Sequence, residues 1–120
     1  LLLAREGGLA PARTILVGPA PRAARVLELD GDGALDLALL VSDARGAKLA
    51  RLFGDGRGNL NRRESVPDVH VADAARELLV LDADGDGAWE WIVLDDERDA
   101  LHLLAGEPAG ELSLRRSFAL

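Results

Sequence analysis

The 120-residue sequence contains no cysteine and no methionine, and its only aromatic residues are two Trp and two Phe. Without cysteine the chain can form neither a disulfide framework nor a thiolate metal site, and it offers no thiol nucleophile. So few aromatic side chains cannot build a platform on which nucleic-acid bases stack. The hydrophobic core must therefore consist mainly of Leu, Ala, Val and Ile.

Positive charge is also scarce, because 14 Lys and Arg stand against 21 Asp and Glu and the formal net charge is −7. Nucleic acids and anionic membranes bind clustered positive charge, so nucleic acid is not an expected partner. The apolar start of the chain is interrupted at Arg5, and no apolar run approaches the roughly 18 residues of a membrane span. We predict no membrane span and no signal peptide. Since the chain does not begin with Met, we expect it to be part of a longer protein.

Two stretches of the sequence resemble each other. Residues 26–40 read VLELDGDGALDLALL and residues 80–94 read VLDADGDGAWEWIVL, with an offset of 82 − 28 = 54 between Glu28 and Asp82. A Gly-rich landmark follows each stretch, LFGDGRGNL and LLAGEPAGEL, and a degenerate copy, LLAREGGL, stands near the start. The predicted organisation is the end of one unit at residues 1–16, a full unit at 17–67 and another at 68–120.

The apolar stretches of each unit are short and bounded by Gly, Asp, Asn or Pro, which is typical of strands. The predicted strands are 24–29, 36–41, 48–53 and 60–66 in the first unit, and 77–81, 90–95, 100–105 and 112–118 in the second. Residues 72–81 could form a helix by propensity, but the prolines in the equivalent stretch favour a strand. The predicted fold class is all-β, with consecutive four-stranded antiparallel blades of a partial β-propeller.

Each unit contains an acidic loop with carboxylates at relative positions 1, 3, 5 and 9 and glycine at position 6. Ca²⁺ takes six to eight oxygen ligands, and alternate residues of a tight loop can direct several carboxylates to one point. The residue after the glycine can add its carbonyl. The predicted metal ligands are Glu28, Asp30, Asp32, Ala34 and Asp36 in the first loop, and Asp82, Asp84, Asp86, Ala88 and Glu90 in the second. We therefore expect two calcium ions.

Ordinary hairpin turns are the alternative interpretation, because Asp-Gly pairs often form them. The recurrence of the acid at position 9, which a turn does not require, favours a cation. Two like charges about 4 Å apart repel by about 1 kcal/mol in water, and a cation would relieve that repulsion. Hard oxygen ligands favour calcium over zinc, with magnesium as an alternative. An EF-hand is excluded because position 12 is Leu39 or Val93 rather than Glu.

The string ELDGDGALDLAL, followed by LFGDGRGNL, resembles an FG-GAP or VCBS-type repeat, the blade unit of integrin alpha-chain propellers and of many bacterial surface or secreted proteins. The resemblance implies calcium ligands at the carboxylates and alanine carbonyls named above. It also implies neighbouring blades of the same propeller as partners, with an extracellular protein or a glycan as further candidates. The sequence departs from the family pattern at Glu28 and Glu90 and lacks a Gly-Ala-Pro after the second strand, which brings it nearer to the bacterial repeats.

These features predict a non-catalytic, calcium-binding structural and interaction module within a larger extracellular, cell-surface or periplasmic propeller. Export is expected because weak calcium sites of the extracellular class would be empty at cytosolic calcium concentrations. Two alternatives stay open. The chain could be a slice of a propeller lyase or hydrolase whose active site lies elsewhere, or a cytosolic acidic scaffold with metal-free turns.

Several other residues have simpler expected roles. One of Trp89 and Trp91 is expected in the blade interface and the other over the acidic loop. The acidic stretch 95–99 is expected to be a solvated hairpin loop, with a second cation site as the weaker alternative. His70 and His102 are expected to have no partner and no acid–base role.

The arginine pairs at 62–63 and 115–116 recur with the strand and are expected to be solvent-facing charges that discourage edge pairing. No phosphate-binding loop of the Walker type is present. The sequence context of a nucleophile elbow is also missing at each of the four serines, which are Ser42, Ser65, Ser113 and Ser117. The sequence therefore assigns no catalytic group.

Overall fold

The computed structural model describes residues 4–5, 8–9, 20–82, 85 and 88–119. All regular secondary structure in these residues is β, which confirms the predicted all-β class, and they include no helix that could span a bilayer. The strands are β1 Ala4–Arg5, β2 Gly8–Leu9, β3 Pro21–Leu27, β4 Asp36–Asp43, β5 Gly46–Gly54, β6 Leu60–Asn61, β7 Val69–Ala72, β8 Glu77–Leu81, β9 Glu90–Asp95, β10 Ala100–Gly106 and β11 Leu112–Ala119.

Two antiparallel sheets contain most of these strands. The first sheet has the order β3-β4-β5-β6, with β7 also paired to β5, and the second has the order β11-β10-β9-β8. Among the described strands, β1 and β2 pair only with each other. The rest of the predicted preceding unit, residues 1–16, lies outside the described residues. Neither sheet closes on itself, so the described strands form two open sheets.

The second sheet has four strands near the predicted positions. β8 spans the predicted residues 77–81, so the helical alternative there is wrong. The predicted fourth strand of the first unit, residues 60–66, is wrong beyond β6, because the chain turns where the N–H of Val66 donates to the carbonyl of Arg63 at 3.0 Å. Strand β7 pairs with β5 instead, and the first sheet therefore has five strands rather than four.

The two sheets pack on each other through one shared apolar core. Leu40 of the first sheet and Trp91 and Val93 of the second are fully buried members of the same cluster. At the 54-residue offset, Trp91 and Val93 correspond to Leu37 and Leu39, which belong to a different cluster within the first sheet. Because successive strand residues point to opposite faces, the two sheets stack in the same orientation: corresponding faces point the same way, and unlike faces meet in the shared core.

A buried arginine also joins the sheets. Arg51 on β5 is 1% exposed, and its guanidinium donates to the carbonyls of Pro67 at 3.2 Å, Pro108 at 3.0 Å and Gly110 at 2.5 Å. Burial lowers the pKa of Arg51 from its ordinary value, although an arginine side chain stays protonated in proteins. The turn between β10 and β11 is therefore tied by hydrogen bonds to the first sheet.

Candidate metal site in the acidic loop

The first acidic loop joins β3 to β4 and owes its tight course to local features. Gly31 and Gly33 have φ angles of 77° and 85°, a region that favours glycine because a Cβ would be strained there. Asp30 Oδ1 accepts the N–H of Asp32 at 3.3 Å, and Asp32 Oδ1 accepts the N–H of Ala34 at 2.8 Å. These side-chain turns wind the loop so that alternate side chains lie close together.

Four carboxylates of the loop converge. One oxygen from each side chain lies within 4.8 Å of the corresponding oxygen of every other, and the four residues are Glu28, Asp30, Asp32 and Asp36. The structure thus brings together every carboxylate predicted as a ligand in the first loop. Ala34 lies in the same loop, and the role of its carbonyl stays a prediction.

Asp36 fixes the inner end of this group. Its side chain is 1% exposed; Oδ2 accepts the N–H of Leu29 and Oδ1 accepts the N–H of Gly54, both at 2.8 Å. A Cβ on Gly54 would lie 2.1 Å from the carbonyl oxygen of Leu35, so the chain approaches too closely there for any other residue. The acid at position 9 therefore ties the loop to the end of β5.

The charges of the loop shift the pKa values of its acids in opposite directions. Desolvation raises the pKa of Asp30, but hydrogen bonds led by that from Arg63 outweigh it and hold this pKa below its ordinary value. The N–H of Ala34 lowers the pKa of Asp32, but desolvation and repulsion from Asp30 and Asp36 outweigh it and leave this pKa raised. Crowded negative charge thus disfavours the ionised form of Asp32.

Arg63 belongs to the site, whereas the sequence predicts it only as a solvent-facing charge that discourages edge pairing. Its guanidinium lies 2.5 Å from Asp30 Oδ2 and 3.9 Å from the centroid of the Phe53 ring. Arg63 supplies a positive charge to the loop from a segment far along the chain. The only sequence signal for it is the general need of four converging acids for a nearby cation.

The second acidic loop is described in part. Of its predicted ligands, Asp84 and Asp86 lie outside the described residues, and Asp82, Ala88 and Glu90 lie within them. Glu90 begins β9 as Asp36 begins β4, so equivalent acids occupy equivalent places in the two sheets. The convergence of the second ligand set and the second calcium ion stay predictions.

A cleft of about 340 Å³ lies between the two loops. Glu28 lines it from the first loop, and Ala88 and Trp89 line it from the second. Trp91 is fully buried in the shared core. Trp91 therefore packs between the two sheets, where one tryptophan is expected at a blade interface, and Trp89 lies beside the acidic loops.

Two predictions about polar residues of the second sheet are wrong. Asp95, predicted in a solvated loop, is fully buried, and its Oδ1 accepts the N–H groups of Glu97 at 3.2 Å and Arg98 at 3.1 Å. His102, predicted to have no partner, contacts Asp95 and Ser117. Both contacts depend on cross-strand register and on the packing of the sheets, which the sequence pattern does not show.

Comparison of the chain with known protein families, curated proteins and solved structures gives no match. The resemblance to FG-GAP or VCBS-type repeats therefore stays an expectation from the sequence motifs. The chemistry of the loop follows from its donor set, and four carboxylates are hard oxygen ligands that suit Ca²⁺ or Mg²⁺.

Proposed function

We propose that the loop of residues 28–36 binds a calcium ion, and that calcium stabilises this β-sheet module without taking part in catalysis. The convergence of four carboxylate oxygens within 4.8 Å of one another carries the proposal. The donor set fits the ion, because Ca²⁺ is held by several carboxylates and carbonyls in a flexible arrangement. The raised pKa of Asp32 adds support, since a divalent cation would offset the repulsion that raises it.

We further propose that the two sheets are consecutive blades of an FG-GAP or VCBS-type propeller. The 54-residue repeat and the same-orientation stacking of the sheets support this organisation. By register, Leu79 and Phe118 lie on the side of the second sheet that faces away from the first, and they are 48% and 41% exposed. This apolar side suits a further unit of the same kind. Neighbouring blades are the proposed partners, with an extracellular protein or a glycan as the next candidates.

The proposed location follows from the expected affinity. For a site of the weak extracellular class, with a Kd of about 10⁻⁴ M, about 1 mM calcium stabilises the folded state by about 1.4 kcal/mol. The same site would be empty at sub-micromolar cytosolic calcium. We therefore place the module outside the cytosol, in an extracellular, cell-surface or periplasmic protein.

Thermal unfolding and native mass spectrometry of the full chain, in calcium and in chelator, test the proposal. The unfolding entropy of a chain of this length is about 0.25 kcal/mol/K, so that stabilisation corresponds to a rise in Tm of about 6 °C for each site. Asp32→Asn should remove one bound calcium ion and the part of the rise in Tm that this ion causes. Asp55→Asn makes an equal charge change in a neighbouring turn outside the acidic group. This control should leave both the number of bound ions and the calcium-dependent rise in Tm unchanged. Equal Tm values in calcium and chelator, with no bound ion, would favour the metal-free scaffold.

A further inference from the structure

Three polar side chains lie in contact on three neighbouring strands of the second sheet. His102 on β10 has Nε2 3.2 Å from Asp95 Oδ2 on β9 and Nδ1 2.8 Å from Ser117 Oγ on β11. His102 and Ser117 are directly opposite each other in the β10–β11 register, so the sheet itself fixes their separation. Asp95 is fully buried and the His102 side chain is 12% exposed, whereas Ser117 is exposed to solvent.

The contacts of Asp95 determine which nitrogen of His102 holds the proton. An ionised carboxylate only accepts hydrogen bonds, and Asp95 Oδ1 already accepts the N–H groups of Glu97 and Arg98. In a neutral imidazole, Nε2 of His102 then donates to Asp95 Oδ2, and Nδ1 is left as an acceptor. The hydroxyl of Ser117 is therefore the donor in its contact with Nδ1, and this hydrogen bond polarises the serine oxygen.

We propose that Ser117 is a nucleophile with His102 as its general base and Asp95 as a positioning residue, forming a site that hydrolyses small carboxylic esters. Both contact distances fall within the reach required of a nucleophile, its base and the group that orients the base. The imidazole is turned relative to the familiar serine protease arrangement, in which Nε2 faces the serine. Each nitrogen nevertheless has the partner that its role requires.

The position of Ser117 limits the substrate. The serine lies on an exposed strand, and among the described strands β11 pairs only with β10, so its outer backbone edge has no described strand beside it. Unpaired N–H groups along such an edge can donate to a developing oxyanion. Leu114, which is 52% exposed and lies on the same side of the sheet by register, offers an apolar contact for a short acyl chain. A shallow site of this kind suits a small acyl group.

The reaction balances with water as the only co-reactant. Ser117 Oγ bonds to the ester carbonyl carbon while its proton moves to His102 Nδ1, and the carbonyl electron pair moves to the oxygen. Collapse of this intermediate breaks the bond to the alkoxy group, which leaves as an alcohol with the proton from Nδ1. Water then attacks the acyl-serine with the same base, releases the carboxylic acid and restores the hydroxyl.

Labelling of the full chain with a fluorophosphonate probe tests the site directly. Ser117 Oγ should displace fluoride from phosphorus and lose its proton to His102, and peptide mass spectrometry should find the adduct at Ser117. Ser117→Ala should abolish labelling, whereas Ser113→Ala, at an exposed serine of the same strand, should leave it unchanged. His102→Gln should slow labelling by at least about 100-fold. Absence of an adduct at Ser117, or an unchanged rate in His102→Gln, would overturn the proposal.

Two further measurements separate a catalytic relay from a purely structural contact. Hydrolysis of p-nitrophenyl acetate should follow the same order among the variants as labelling does. In ¹⁵N NMR spectra, His102 should carry its proton on Nε2 in the wild type and on Nδ1 in Asp95→Asn, with labelling slowed by at least about 100-fold in that variant. A shifted tautomer with an unchanged labelling rate would show that the trio only holds the strands together.

Discussion

Replacing Asp36 by asparagine is a sharp test of the acidic loop, because the two side chains have the same shape. The buried carboxylate accepts one N–H on each oxygen, from Leu29 and from Gly54. The amide keeps one acceptor, turns its NH₂ toward the other N–H, and weakens the remaining bond by loss of charge. Hydrogen bonds to charged groups contribute about 1.5–3 kcal/mol and neutral ones about half as much, so the expected loss is about 2–4 kcal/mol. Tm should fall by about 8–16 °C.

Urea unfolding measured by circular dichroism, with and without calcium, provides the assay. Calcium should raise the free energy of unfolding less in Asp36→Asn than in the wild type, because the variant lacks one proposed ligand. Asp43→Asn is the matched control at the other end of β4, where the carboxylate is partly exposed and pairs with Lys48 at 2.7 Å, and it should cause a much smaller change. A loss below about 1 kcal/mol for Asp36→Asn would show that its two amide contacts do not hold the loop.

Three further predictions concern other charged side chains. Arg63→Gln should raise calcium affinity about three- to tenfold in titration calorimetry, because the guanidinium occupies an acidic oxygen and repels the ion. Arg62→Gln makes an equal charge change at the neighbouring residue and should leave calcium affinity unchanged. Equal gains in affinity in the two variants would refute a specific role for Arg63. Arg51→Met should lower the free energy of unfolding in urea by about 3 kcal/mol, because three backbone carbonyls lose their hydrogen-bond donor. Lys48→Met on the same strand is the control and should lower it by less. The backbone N–H of Leu78 and the guanidinium of Arg25 lower the pKa of Glu77. Ionised Glu77 therefore stabilises the folded state above the ordinary pKa of glutamate, and this stabilisation is lost as the pH falls through the lowered pKa. Glu77→Gln should therefore reduce the fall in Tm on acidification below about pH 4.5.

The sequence predicts the local features of this protein better than its distant contacts. Strand positions follow from short apolar runs between turn residues, and the acids of the first loop follow from their spacing, so both are predicted at near their observed places. The contact of Arg63 with Asp30 depends on the course of the chain after β6, which no periodicity encodes. The pairing of β7 with β5 likewise depends on which sheet edge is free after folding.

The burial of Asp95 is a further feature that the sequence does not predict. An acidic run between two strands is usually solvated, but here the packing of the sheets encloses one of its members while its neighbours stay exposed. The partner His102 is two residues beyond the directly opposed position on β10, so the contact requires the register of the hairpin. Sequence spacing alone cannot supply that register.

The pairing of β7 with β5 has a consequence for dividing the chain into pieces. The short connection of residues 73–76 follows β7 and precedes β8, so a cut there leaves every described strand of the first sheet on one fragment and every strand of the second on the other. Each fragment would expose its half of the shared apolar core, and the two halves are complementary. The ion pair between Arg25 and Glu77, at 2.6 Å, would also join the two fragments. Such a break point is suited to split-protein complementation, in which reassembly of two separately made halves reports on their proximity.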